Sequence, residues 1–270
     1  MKVLRNINVL KKAISSISNL GFVPTMGGLH QGHVSLIKKS QKKCKKTLVS
    51  IYVNPKQFNS KNDFSVYPRN INKDLSLLKK LKVDFVFTPV TKDIYSIKLR
   101  EKITLAKSQM ILCAKYRKGH FEGVLEIMER FIKLIEPKYI FMGNKDYQQL
   151  HLVNNHIKHK YKSKIFPCKT IRNKNKLALS SRNNFLSKKD LFKASKITHI
   201  LKRIKPTLNK KDSPIIFLKQ LKQKLSAKYN IKIEYLEIRN AIDLNKNQLD
   251  KKFRLFVAYY INNIRLIDNF

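Results

Sequence analysis

Apolar residues in this chain come either in short continuous runs or in stripes at helical spacing, and the alternation between the two predicts its architecture. The stripe Val3, Ile7, Leu10, Ile14, Ile17 predicts an opening helix over Val3–Leu20. The run Leu20–Val23 predicts a buried strand, and Val34, Leu36 and Ile37, followed by lysines, predict a helix from about His33 to Lys43. Thr47–Val53, short and β-branched, reads as a second parallel strand. A loop over Asn59–Asp63, a helix at about Asn70–Leu81 and a strand at Asp84–Phe87 follow. Tyr95–Lys118 has no clear period and suits either short helices or a mobile flap. Val124, Ile127, Met128, Phe131 and Ile135 mark a helix over Phe121–Leu134, with further strands at Lys138–Met142 and Ile165–Cys168. Repeated strand–helix alternation predicts a doubly wound, Rossmann-like α/β domain over 1–169. Near residue 170 the pattern changes. Ile171–Ser181 is polar, and Ser187 with Asp190 three residues on is an N-cap signature. Helices at about 188–204 and 213–227 and short strands at about 231–238, 253–260 and 264–267 predict a smaller C-terminal α+β domain over 170–270.

Composition narrows the class. Hydrophobic residues make up 43% of 270 positions, too many for a wholly disordered chain. No apolar run is long enough to cross a bilayer, and Met1–Leu10 lacks the apolar core and cleavage site of a signal peptide, so a cytoplasmic protein is expected. Cys44, Cys113 and Cys168 are odd in number and far apart, which excludes a disulfide framework or a cysteine metal cluster. The formal charge of +41 raises nucleic-acid binding as an alternative. The lysines, however, are spread along the whole chain, and no zinc finger or ribonucleoprotein aromatic motif accompanies them. With Asn and Ile also abundant, Gly at 7 residues and Trp absent, the balance is that of an A+T-rich coding sequence. Neither specific nucleic-acid binding nor membrane association is expected, and the charge is left to draw in anionic substrates.

Candidate chemistry gathers where strands end. Pro24–His33 reads as strand, glycine turn and helix start. Gly27 and Gly28 permit close backbone approach to a ligand, and the helix start offers unpaired N–H groups and a positive dipole end to an anion. His30 and His33, three residues apart across Gly32, can face one phosphate. Thr47–Val53 runs into Asn54-Pro55-Lys56-Gln57-Phe58, so Asn54 and Gln57 are candidates for the same crevice, although Asn-Pro also suits an ordinary turn. Lys138–Met142 runs into Gly143-Asn144-Lys145-Asp146-Tyr147-Gln148-Gln149; Lys145-Asp146 alone also fits a surface ion pair, and Leu179-Ser180-Ser181-Arg182-Asn183 alone fits a loop leading into a helix.

His-x-Gly-His after a strand is the signature of nucleotidyltransferases that act at the α-phosphate of ATP. The chain further resembles the pantothenate synthetase (pantoate–β-alanine ligase) family nearly end to end. The resemblance rests on PTMGGLHQGH at 24–33, VNPKQF at 53–58, YPR at 67–69, VDFVFTP at 83–89, GHFEGV at 119–124, GNKDYQQL at 143–150, LSSRN at 179–183 and RLIDN at 265–269. It implies ATP-dependent joining of pantoate and β-alanine through a pantoyl adenylate, with release of pyrophosphate and then AMP, in a homodimer. Mg²⁺ would arrive with ATP, and no protein metal ligand is assigned. By the same resemblance ATP would be held by Met26, Gly27, Gly28, Leu29, His30, Gln31, Gly32 and His33, by Gly143, Asn144, Lys145 and Asp146, and by Ile171, Leu179, Ser180, Ser181 and Arg182. Gln57 and Gln149 would bind pantoate, with Gln57 also beside β-alanine. His33 would be the family's proton donor, with His30, Lys145 and Arg182 completing the catalytic set, and the C-terminal domain would act as a lid. Another HxGH adenylyltransferase is the alternative within enzymes. Three departures stand out: Asn144 for the usual Glu, Asn175-Lys176 for the usual Asp-Gly, and Glu126 for a small hydroxyl residue. Asp74 is a further candidate, near the metal though not among its direct ligands.

Overall fold

The computed structural model describes residues 1–210, 212–246 and 252–270, omitting the side chain of Lys210. It divides into two compact units, Met1–Lys169 and Thr170–Phe270.

The first unit runs β1 (Lys2–Leu4), α1 (Ile7–Ile14), β2 (Leu20–Thr25), α2 (Gln31–Lys43), β3 (Lys46–Ile51), α3 (Lys61–Ser65), α4 (Ile71–Lys80), β4 (Phe85–Phe87), α5 (Thr91–Tyr95), α6 (Leu112–Tyr116), α7 (His120–Ile135), β5 (Tyr139–Gly143), α8 (Tyr147–Ile157) and β6 (Lys164–Cys168). The strands form one parallel sheet in the order β1-β4-β3-β2-β5-β6. Its central strands are apolar on both faces because helices cover both; Phe22, Val23, Leu48, Val49, Ile140 and Phe141 are fully buried. Phe131 of α7 packs edge-on against Phe22, Tyr52 and Phe87. From β2 the chain winds outward to β3 and β4 on one side, while β5 and β6 lie on the other. The order therefore reverses between β2 and β5, and the crevice at the carboxyl ends of these two strands is where such sheets bind ligands.

Two local expectations change. The opening helix is replaced by β1 and the shorter α1. Val3 and Leu4 pair with Val86 and Phe87 in the sheet, and the Asn6 side chain caps α1 by accepting from Val9 N at 2.9 Å. The helical stripe thus began on a residue that a distant strand claims. The loop expected at 59–63 contains the start of α3, capped by Ser60. The segment 95–118 is built of short helical pieces, including α6.

The second unit contains α9 (Lys188–Ile204), α10 (Pro214–Tyr229), β7 (Lys232–Asn240), β8 (Phe253–Ile261) and β9 (Ile264–Asn269), with the three strands forming an antiparallel sheet in sequence order. Ala194, Ile197, Leu201, Leu218 and Leu225 of the helices share a core with Ile233, Leu255, Val257 and Tyr259 of the sheet. Ser187 caps α9 through Asp190 N at 3.1 Å, as its sequence signature predicts. The RLIDN motif is bonded into this unit: Arg265 meets Glu234 through two nitrogens, and Asp268 receives both terminal nitrogens of Arg172 at 2.6 and 2.8 Å.

Candidate active site

The turn after β2 is fastened from three directions. Thr25 Oγ1 donates to Ser50 O on β3 at 2.6 Å and accepts from Gly27 N at 3.2 Å. Gly27 and Gly28 both have positive φ, 79° and 61°, a region open to glycine and strained for other residues. The buried Asp74 carboxylate on α4 then accepts Gly28 N and Leu29 N, each at 2.9 Å. A Cβ on Gly27 would lie 2.9 Å from that same carboxylate. Asp74 therefore organises the turn, with both of its oxygens holding backbone N–H groups.

The two histidines cap α2. His30 is the N-cap, and its Nδ1 accepts from Gly32 N at 3.0 Å; His33 Nδ1 accepts from His30 N at 3.3 Å. A backbone nitrogen only donates, so each Nδ1 is an acceptor and each neutral ring carries its proton on Nε2. The ring centroids are 4.2 Å apart. Gly32 makes the arrangement possible, because a Cβ there would meet His30 Cε1 at 2.6 Å. Burial, with help from Lys145, lowers the His30 pKa from 6.5 to about 4; burial and then the neighbouring His30 lower that of His33 to about 3. Both imidazoles are therefore neutral near neutral pH. They offer Nε2–H groups as hydrogen-bond donors, and the fixed positive charge nearby belongs to Lys145.

This differs from the expected mode of anion binding. The N–H groups of Gly27, Gly28, Leu29, His30 and Gly32 are all engaged within the protein. The turn presents imidazole N–H groups in place of bare backbone. Leu29 packs onto the sheet core, while Gln31 is solvent-exposed.

From the neighbouring strands come the remaining polar groups of this unit. Gln57 is buried and directs Nε2 to Met26 Sδ at 2.8 Å, so the segment after β3 touches the segment after β2. Asn54 Nδ2 donates to Gln57 Oε1 at 3.2 Å and to Gly123 O at 3.0 Å, and Asn54 Oδ1 accepts from Tyr95 Oη at 2.8 Å. Burial raises the Tyr95 pKa, which keeps this phenol a donor. After β5, a Cβ on Gly143 would meet nothing within 4 Å. Lys145, with its side chain 19% exposed, lies 3.3 Å from the more exposed Asp146. Of the paired glutamines on α8, Gln148 is structural: it accepts from Cys113 N at 2.9 Å and donates to Ile111 O at 2.8 Å. Gln149 beside it is half-buried. Among the described residues no cluster of His, Cys, Asp and Glu has the makings of a metal site. The three cysteines are buried and unbridged. No helix is long and apolar enough to cross a membrane.

The second unit carries the other expected residues. Ser180 Oγ accepts from Arg182 N at 3.3 Å, forming the start of a short helical turn over Ser181–Phe185. The strand-like piece from Ile171 turns back on itself through a bridge between Arg172 and Ala178. At the turn, Lys176 has φ 66° where the family resemblance leads one to expect glycine.

The family described as pantoate-beta-alanine ligase matches residues 2–270. The chain belongs to the pantoate–β-alanine ligase family. A pantothenate synthetase of Leptospira biflexa is 40% identical over 100% of this chain and 98% of its own. A solved pantoate–β-alanine ligase of Francisella tularensis, complexed with β-γ ATP and β-alanine, is 36% identical over 100% of this chain and 97% of its own, with a TM-score of 0.84. A Thermus thermophilus pantothenate synthetase, 30% identical over 100% and 99%, gives 0.92. The chain is thus an enzyme, a ligase of pantoate and β-alanine, with a Rossmann-like sheet and a small antiparallel C-terminal sheet. One departure from the ligase family acquires a partner here: Glu126 pairs with Lys56 Nζ at 3.0 Å and with Arg130 at 3.7 Å, tying α7 to the NPKQF turn.

Proposed function

We propose that this chain makes pantothenate in two steps at the β2–β5 crevice, with ATP as the activating substrate. The carboxylate of pantoate attacks the α-phosphorus, giving pantoyl adenylate and pyrophosphate. The amine of β-alanine then attacks the acyl carbon and AMP leaves. The observation that carries this reading is the imidazole pair, with both Nδ1 atoms committed to backbone and both Nε2–H groups available as donors.

Attack on the α-phosphorus spreads negative charge over its equatorial oxygens, and the protein's part is to meet that charge with groups already in position. His30 and His33 donate through Nε2, and Lys145 supplies the charge. Neutral rings suit hydrogen-bond donation, and with pKa values of about 4 and about 3 both stay neutral over a wide pH range; His33 is the proton donor of the pair. Asp146 accepts from ribose hydroxyls. Gln57 and Gln149 bind pantoate, and Gln57 also lies beside β-alanine; a side-chain amide both donates and accepts, as pantoate's hydroxyls and carboxylate require. Met26 to His33, Gly143 to Asp146, Ile171 and Leu179 to Arg182 contact ATP, with Arg182 a second cation. Mg²⁺ would enter with the nucleotide and offset its phosphate charge, and no residue of this chain is assigned to hold it. The C-terminal unit acts as a lid, and the protein works as a cytoplasmic homodimer.

Purified protein with ATP and Mg²⁺ should exchange pyrophosphate into ATP only when pantoate is added, and release AMP fully only with β-alanine. Exchange without pantoate, or none with it, would refute the sequence of steps. His33→Ala should lower the exchange rate by about 10²–10³.

A further inference from the structure

The GHFEGV motif at 119–124 has no assigned part in the chemistry, yet its first turn lies directly on the segment that carries Gln57. We propose that His120 is a positioning residue for Gln57, acting through the Gln57 backbone carbonyl, with Arg117 setting its tautomer. The proposal rests on the reading of Gln57 as the pantoate-binding amide.

His120 is buried, and its Nδ1 lies 2.6 Å from Gln57 O. Its Nε2 lies 2.9 Å from Arg117 Nη1. A guanidinium only donates, so Nε2 is the acceptor and the ring proton is on Nδ1, pointing at the Gln57 carbonyl. A second nitrogen of Arg117 reaches the same carbonyl at 3.3 Å. Two hydrogen bonds thus converge on one oxygen at the end of the 55–57 turn, and a third joins the two donors to each other. That is where a short helical turn leaves its carbonyls without internal partners. The backbone of α7 presses on the same turn, for a Cβ on Gly123 would meet Lys56 O at 2.5 Å and Gln57 N at 3.0 Å. Asn54, meanwhile, holds the side-chain oxygen of Gln57. The backbone and the amide of Gln57 therefore have separate partners: the backbone bond sets the position from which the side chain extends, and Asn54 sets the orientation of its amide. His30 and His33 use Nδ1 as acceptors; His120 uses Nδ1 as a donor, and the difference follows from its arginine neighbour.

The test compares His120→Asn with His120→Gln in the full chain. The Asn amide nitrogen falls near the position of imidazole Nδ1, whereas that of Gln falls near Nε2, so two polar variants of similar burden on the fold separate the roles. KM values for pantoate and ATP are measured by pantoate-dependent exchange. His120→Gln should raise the pantoate KM by about tenfold or more with the ATP KM unchanged, and His120→Asn should restore it to within about threefold of wild type, as expected for a displacement of the binding group alone. A role in folding alone would lower the active fraction and leave both KM values unaltered. Equal pantoate KM values in the Asn and Gln variants would overturn the proposal. Gln57→Ala is run alongside: if it leaves the pantoate KM unchanged, the reading of Gln57 fails; if it raises that KM while His120→Gln does not, only the positioning role fails.

Discussion

Replacing Gly32 with alanine separates stability from chemistry at the imidazole pair. The new Cβ would lie 2.6 Å from His30 Cε1 and 2.8 Å from its Nδ1. Carbon atoms rest about 3.5–4.0 Å apart, so the ring must retreat by about 1 Å. That movement breaks the bond from Gly32 N to His30 Nδ1, with a cost of about 0.5–1.5 kcal/mol. Alanine is the better helix former by up to about 1 kcal/mol, which offsets most of this loss. The fold should therefore keep its stability to within about 1 kcal/mol. Catalysis has no such compensation. A donor displaced by about 1 Å costs on the order of 10² in rate, and the His33 ring, packed against His30, is disturbed as well. The assays are pantoate-dependent pyrophosphate exchange and urea unfolding on the same preparation. A Gly32→Ala enzyme exchanging at the wild-type rate would refute the reasoning, and so would a loss of exchange that merely follows a loss of folded protein.

The remaining predictions concern charge and backbone. Because the folded-state pKa values of His30 and His33 are lowered from 6.5 to about 4 and about 3, the unfolded chain binds protons that the native chain refuses; the stability they contribute is whole above about pH 6.5 and declines as pH falls toward 3. NMR titration of the assigned ring protons should show neither ring titrating between pH 8 and 5.5, and a midpoint near 6.5 for either ring would contradict its burial. Asp74→Asn leaves an amide nitrogen facing one of the two N–H groups of Gly28 and Leu29, and should cost about 1–3 kcal/mol in unfolding free energy together with a fall in exchange rate. Full stability in that variant would show that the turn holds itself. Lys176→Gly should stabilise the second unit by up to about 1 kcal/mol, since it relieves a left-handed backbone at a lysine, and a lower unfolding midpoint would count against strain there.

The sheet was readable because its middle strands are buried on both faces and so appear as bare apolar runs. The crevice was readable because the glycines, amides and charges stand directly after those runs. What escaped depends on partners far along the chain. Val3 belongs to a strand because Val86 is waiting for it. The segment 95–118 has little periodicity of its own, and residues 111–113 are held by Gln148 from α8. The His-x-Gly-His spacing announced a paired site, but not that the backbone would occupy both Nδ1 atoms, nor that Asp74 would take the N–H groups expected to greet a phosphate. The first outcome needs the missing Cβ of Gly32, and the second accompanies the positive φ of Gly27 and Gly28; spacing alone specifies neither. The paired glutamines looked equivalent, and only their places on α8 separate a structural Gln148 from Gln149.

Helix α2 begins with the two imidazoles of the proposed site doing the work that serine or aspartate does at the start of most helices. Resistance to heat and turnover are thus competing claims on the same few atoms. A library of this gene selected for thermal endurance alone would drift toward better caps at position 30, after which alanine at position 32 would meet no imidazole and would add stability, and the hardy proteins so obtained should no longer activate a carboxylate. Selection for growth without supplied vitamin would push the same two positions back.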